Sequence, residues 1–233
     1  MKFLKWLIIF VIIIAIIVLI LGIIFPGLLW KKDLGIKYTD EDYASMQNKI
    51  DTINAINIAN KQKTEEKLAS EEINASKQKI EEEFTSKEIT AYLNKKNTAS
   101  LGLKDIQVKI NSDNTISIAG TTNIDSLLKD VLNDKYSKKQ LEEKIPALSY
   151  APQNINVELN FEGSVKDNKS NIEVNKIAVQ GIELPSSIID YNDVKSAIVK
   201  EIDKSIEKYS NSSGAKVGSI SVENNKILLK EEI

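Results

Sequence analysis

INVELNFEGSVKDNKSNIEVNKIAV, residues 155–179, decides how this chain folds. Its apolar side chains recur at mostly alternate positions, Ile155, Val157, Leu159 and Phe161 and then Ile172, Val174, Ile177 and Val179, with Asn, Glu and Lys between them. A period of two sends successive side chains to opposite faces of an extended chain. Each run therefore reads as a strand with one buried and one wet face. The runs turn into one another at Gly163 or at Asp167 to Lys169, which makes an antiparallel hairpin.

The same pattern recurs on both sides. Upstream, Ile106, Val108 and Ile110 are followed by Ile116 and Ile118, with the turn formers Asn111, Ser112, Asp113 and Asn114 between them. Downstream, Ile220 and Val222 face Ile227 and Leu229 across Asn224 and Asn225. Helical spacing separates the hairpins. Leu127, Leu128, Val131 and Leu132 predict a helix over Ile124 to Tyr136, after which Pro146 and Pro152 interrupt the chain. Beyond Gly181 and Pro185, a helix carrying Val194, Ile198, Ile202 and Ile206 runs to about Tyr209 and stops within residues 211–214. Hairpin, helix, hairpin, helix, hairpin is an α+β order: an antiparallel sheet of hairpins covered on one side by helices.

Ahead of the first hairpin, Thr39 and Asp42 supply a cap and an acidic first turn. Tyr43, Met46, Ile50 and Ile53 at three-four spacing then predict a long N-terminal helix. Residues 60–83 are rich in Lys, Glu, Ser and Gln, with only Leu68, Ile73 and Ile80 as sizeable apolar positions. This stretch reads as an exposed helix continuing the first, with a mobile linker as the alternative. Thr85 and Glu88 repeat the capping pattern, and Ile89, Tyr92 and Leu93 give the next helix its apolar face, ending near Asn94.

From Trp6 to Trp30 no residue is charged, a stretch that as a helix would reach roughly 37 Å and cross the hydrocarbon of a bilayer. A tryptophan at each end and lysine pairs just outside (Lys2 and Lys5, Lys31 and Lys32) suit the two interfaces. A cleaved signal peptide would have a shorter apolar run of about 7 to 15 residues and a small-x-small site, and neither is found. The expectation is a permanent single-pass anchor with a cytoplasmic N-terminus and an extracytoplasmic C-terminal domain. The expected divisions are an anchor over 1–32, a helical stalk or linker region over 33–83 and an α+β globular domain over 84–233.

Past the anchor, 27 lysines stand against 33 carboxylates, a net charge of −6. An acidic domain without a basic block is a poor partner for nucleic acid. The chain contains no His, no Cys and no Arg. These absences exclude disulfides, thiol nucleophiles, thiolate zinc sites, imidazole bases and guanidinium clamps. Ser76 to Lys79, Ser205 to Lys208 and Ser213 to Lys216 are among the stretches that fit S-x-x-K, but such hits without companion motifs are what a Ser- and Lys-rich chain gives by chance. The acidic groups at 40–42 and 81–83 lack the alternate-oxygen and glycine spacing of a calcium loop. Gly120, Gly163 and Gly181 read as bulge or turn glycines rather than points of ligand approach. No phosphate-binding glycine motif occurs. The sequence thus predicts no catalytic, cofactor-binding or metal-ligating residues and no enzyme activity.

DLGIKYTDEDYASM from Asp33, FTSKEITAYLN from Phe84, the hairpin ending ISIAG at Gly120 and IAVQGIELP ending at Pro185 occur in an order that resembles the YpmS-like family of membrane-anchored bacterial proteins of unassigned function. The resemblance implies an architecture similar to tubular lipid-binding domains, in which a long helix lies in a curved antiparallel sheet around an apolar groove. It carries no functional residues. Two expectations stand: a membrane-tethered domain that binds a lipid or other apolar ligand, and, alternatively, a structural or assembly factor of the cell envelope with an envelope protein as partner, in which residues 60–83 serve as spacer or docking element.

Overall fold

The structure, a computed structural model, describes residues 32–68, 80–96, 103–131, 135–150 and 153–232. The expected span at 6–30 lies outside these residues. Among the described residues no helix is long and apolar enough to cross a membrane.

The fold is α+β, with an eight-stranded open antiparallel sheet. Helix α1 (Asp40–Leu68) leads into β1 (Ile80–Thr85), α2 (Ser86–Lys96) and the hairpin β2 (Lys104–Ile110) and β3 (Ile116–Asn123). A short α3 (Ile124–Ser126) widens into a π turn at Leu127–Val131, and α4 (Lys138–Lys144) and a 3-10 turn at Pro146–Tyr150 follow. Then come β4 (Asn154–Lys166), β5 (Lys169–Val179), β6 (Ile182–Glu183), α5 (Tyr191–Ser213), β7 (Lys216–Glu223) and β8 (Lys226–Glu232).

The 13-residue strand β4 organises the sheet. One edge carries β5 from Val157 to Lys166. The other carries β3 as far as Phe161, and then β7 at Val165 and Lys166. Between those points neither strand pairs with this edge, and the sheet forks into two wings. The first holds β2, β3, β5 and β6. The second runs through β7 and β8 to β1. The turn of the central hairpin is Asp167–Asn168, both at positive φ, the geometry a two-residue hairpin favours. Its N–H groups reach across the fork, Asp167 to the carbonyl of Gly218 at 2.9 Å and Asn168 to that of Val217 at 3.0 Å. Gly163 is therefore not the turn. It sits within β4 opposite Ile172, where a Cβ would come within 3.0 Å of the Ile172 side chain.

The first wing is filled. Ile155, Leu184, Ile189 and Val194 are each 1% exposed or less, in one cluster with Val108, Phe161, Val174 and Val179. Helix α5 covers it through Val194, Ile198 and Ile202, capped by Asp190 at its start and by Gly214, at φ 75°, at its end.

The free edge of β2 is closed by side chains rather than by a strand. Ser86, Thr90 and Asn94 form one stripe of α2 at intervals of four residues. They accept from the N–H groups of Ile110 (3.0 Å), Val108 (2.9 Å) and Ile106 (3.0 Å). The match is metric: four helical residues rise about 6 Å and two strand residues about 6.6 Å, so one polar side chain meets each outward N–H. An edge satisfied in this way offers little template for another chain.

Two sequence expectations are corrected, and two elements are added to those expected. Residues 80–83 are strand rather than helix or linker. Ile80 and Phe84 lie four apart, a spacing common to one helix face and one strand face, and pairing with β8 decides for the strand. The helix expected over 124–136 is described only to Val131, with Leu132 outside the described residues and Tyr136 in a loop, its hydroxyl accepting from the Asp190 N–H at 2.9 Å. Leu127 and Leu128 are adjacent and both buried, which the wider π turn accommodates. Helix α4, opened by a capping box of Ser137 and Gln140, was not foreseen, nor was β6. The last helix ends at Ser213 with Gly214 as its cap, inside the stop expected over 211–214.

Candidate functional site

The fork leaves room. A cleft of about 460 Å³ opens where β4, β7, β8 and β1 meet, lined by Ile80 and Glu81, residues 164–167, residues 218–221, Lys230 and Glu231. The branched apolar residues of the lining are Ile80, Val165 and Ile220, which register places on one face of their strands; Ile80 and Val165 are buried and Ile220 is half-buried. A bulge between Val217 and Ser219 shifts the pairing of β7 with β8 at this point.

Glu231 is the unusual member of the lining. On β8 the inward positions are Ile227, Leu229 and Glu231, so the strand pattern buries a carboxylate, at 2% exposure. Two helices meet it. The Tyr209 hydroxyl of α5 donates to its oxygens at 2.8 and 2.9 Å, and Asn57 Nδ2 of α1 donates to Tyr209 at 2.5 Å and to Glu231 at 3.3 Å. Burial pushes the Tyr209 phenol well above its ordinary value, and the neighbouring carboxylate raises it further. Tyr209 therefore stays a neutral donor across the physiological range. Asn57 Oδ1 is buried without a hydrogen-bond partner among the described residues.

A second polar junction ties α1 to α2. Burial works against the charged form of Glu88, but Lys49 at 2.8 Å, Ser45 at 2.5 Å and the Thr85 cap outweigh it and bring the carboxyl down to about 2. Glu88 serves two purposes at once, closing the predicted capping box and holding α1 in place. That consumes its lone pairs in structure rather than leaving them for chemistry.

The residues weighed in the sequence do not converge. Ser76 and Lys79 lie outside the described residues. The Ser205 hydroxyl donates to the Glu201 carbonyl at 2.7 Å and that of Ser213 to the Tyr209 carbonyl at 2.8 Å, so both are spent on helix backbone. Asp40 pairs with Lys95 at 2.7 Å, and Asp42 caps Thr39. Glu81 and Glu83 point outward from β1 to Lys230, at 3.4 Å, and to Lys226, while Glu82 lies on the other face. Alternation thus disperses the acidic run that its spelling concentrates. Among the described residues no group of three or more Asp or Glu side chains is placed to hold a metal ion. Gly181, at φ 74°, forms the turn from β5 to β6 with Gln180, whereas Gly120 lies inside β3, close against the Lys104 carbonyl.

Asn57, Tyr209 and Glu231 were not singled out in the sequence. The available signal was Glu231 itself, a charge at an inward position of an alternating strand. Compared with protein-family models, curated proteins and solved structures, the chain matches none.

Proposed function

We propose that this chain is a single-pass, membrane-tethered binding module, without enzymatic activity, whose extracytoplasmic domain takes the apolar part of a lipid or similar ligand into the cleft at the fork. The observation that carries the reading is the cleft itself. Its volume of about 460 Å³ falls within the roughly 300–1,000 Å³ of small-molecule sites. The half-buried Ile220 offers it apolar surface, with the buried Ile80 and Val165 beneath, and Lys166 and Lys230 supply polar groups for the ligand's other end. The resemblance to the YpmS-like family and to lipid-binding folds points the same way. The space between α5 and the first wing does not compete for this role, because Leu184, Ile189 and Val194 fill it.

The test is mass spectrometry of organic extracts from the full chain purified in mild detergent, beside an Ile220→Trp variant that fills the cleft. Bound lipid should be present in the wild type and fall at least fivefold in the variant, which should keep its circular dichroism. A wild type that carries no apolar ligand sinks the proposal.

The alternative reading, a structural or assembly factor of the cell envelope, is favoured by Ile58, which is 60% exposed on α1, a large apolar side chain with no structural duty. A protein partner crosslinked in cells and lost in Ile58→Ser would decide for it. Crosslinks unchanged by that substitution would remove α1 from the argument.

A further inference from the structure

The polar face of the sheet carries the segment that leaves the expected span. Gln107 alternates with the buried Ile106 and Val108, and Glu158 with the inward Val157 and Leu159, so both point away from the helices. Leu34 donates its N–H to Gln107 Oε1 at 2.7 Å. Lys32 Nζ lies 3.8 Å from the Glu158 carboxylate, which Lys176 approaches from the other side at 3.1 Å, and the Glu158 side chain is only 11% exposed. Gln107 is on β2 and Glu158 on β4, with β3 between them. Residues 32–34 therefore cross the middle of the outer face and do not leave from an end of the sheet.

The distance to the uncharged stretch is short. Only Lys31 separates Trp30 from Lys32, and two residues of fully extended chain cover at most about 7 Å. If residues 6–30 span a bilayer, they enter it beside the outer face. That face is built for water rather than for hydrocarbon. Asn111 and Asn160 each bond to Thr115 and Ser117, a network without charge, and Lys176 pairs with Glu158. We propose that the outer face of the sheet lies against the phospholipid headgroup layer of the membrane that holds the span, with α5 on the side away from it. The inference rests on the tether in the proposed function and is independent of any ligand in the cleft. Such a surface rests at the wet interface and does not insert.

The chain contains no cysteine, so one can be introduced for a nitroxide label without background. Lys109→Cys on the outer face and Lys204→Cys on α5, both at exposed positions, would each be labelled in the full chain and reconstituted in phosphatidylcholine and phosphatidylglycerol vesicles containing a nickel-chelating headgroup lipid. Paramagnetic relaxation enhancement should be at least threefold stronger at position 109 than at 204. Ten Gly and Ser residues inserted between Lys31 and Lys32 should remove the difference. Equal enhancement at the two positions, stronger enhancement at 204, or a difference that survives the insertion would overturn the orientation while leaving the tether standing. A chain that fails to float with the vesicles would overturn both.

Discussion

The two wings of the sheet grow from one strand and close their interiors by different means. In the first, β2, β3 and β5 turn Ile and Val inward, and α5 meets them with Ile and Val, so the contact is apolar throughout. In the second, β8 turns Glu231 inward, and α1 and α5 meet it with Asn57 and Tyr209. Apolar side chains interlock without directional demands and pack to high density. A carboxylate needs donors at fixed angles, so the groups around it are spaced by hydrogen-bond geometry, and room is left beside them. The difference teaches where to look for function: the cleft lies beside the wing whose apolar packing, Ile53 with Ile80 and Phe84 and Ile206 with Val165 and Val217, is interrupted by a polar junction, while the first wing is full.

The sharpest way to break this comparison is to make a hole in the filled wing. Ile155→Ala removes a fully buried side chain from the strand that joins both wings, and should lower the free energy of unfolding by about 3–4 kcal/mol in urea titrations followed by circular dichroism. A loss under 1 kcal/mol would mean that the wing can collapse around the hole and is not tightly packed.

Glu88 tests the polar side of the argument next. Its folded carboxyl lies near 2 against an ordinary 4.5, so its contribution is fully present above pH 4.5 and is lost as pH falls from there toward 2. Glu88→Gln should cost on the order of 2 kcal/mol at neutral pH and very little at pH 2, so the two stability profiles converge in acid. Parallel profiles across that range would remove Glu88 from the acid sensitivity of the fold.

How far the sequence could be read follows from these same residues. The hairpins β2–β3, β4–β5 and β7–β8 and the caps at Thr39 and Thr85 were legible as local patterns with local causes, whereas the capping box of Ser137 and Gln140, equally local, was passed over. Periodicity failed at Ile80 and Phe84, where one spacing serves helix and strand alike and the partner strand lies some 140 residues away. Glu231 was legible as an anomaly only once its strand face was known, and its partners come from helices far away in the chain. The cleft is not a property of any segment. It is lined by β1, β4, β7 and β8, which only the register of the sheet brings together.

Tyr209 gives the finest test of the second wing, with the smallest expected effect. Its hydroxyl is the close donor to a buried carboxylate, so Tyr209→Phe leaves Glu231, among the described residues, with the longer contact from Asn57 and should cost on the order of 1–2 kcal/mol at pH 7. The pH dependence carries the distinguishing information. Because burial and Glu231 raise the phenol's pKa in the fold, its contribution is whole below the ordinary value of 10.0 and is lost as pH climbs toward the folded value. Wild-type stability should therefore fall above pH 10, and the fall should be shallower in Tyr209→Phe, where no phenol remains to ionise at this position. Identical alkaline limbs in the two proteins would mean that Glu231 does not hold the phenol neutral, and the second wing would then owe its spacing to something other than this carboxylate.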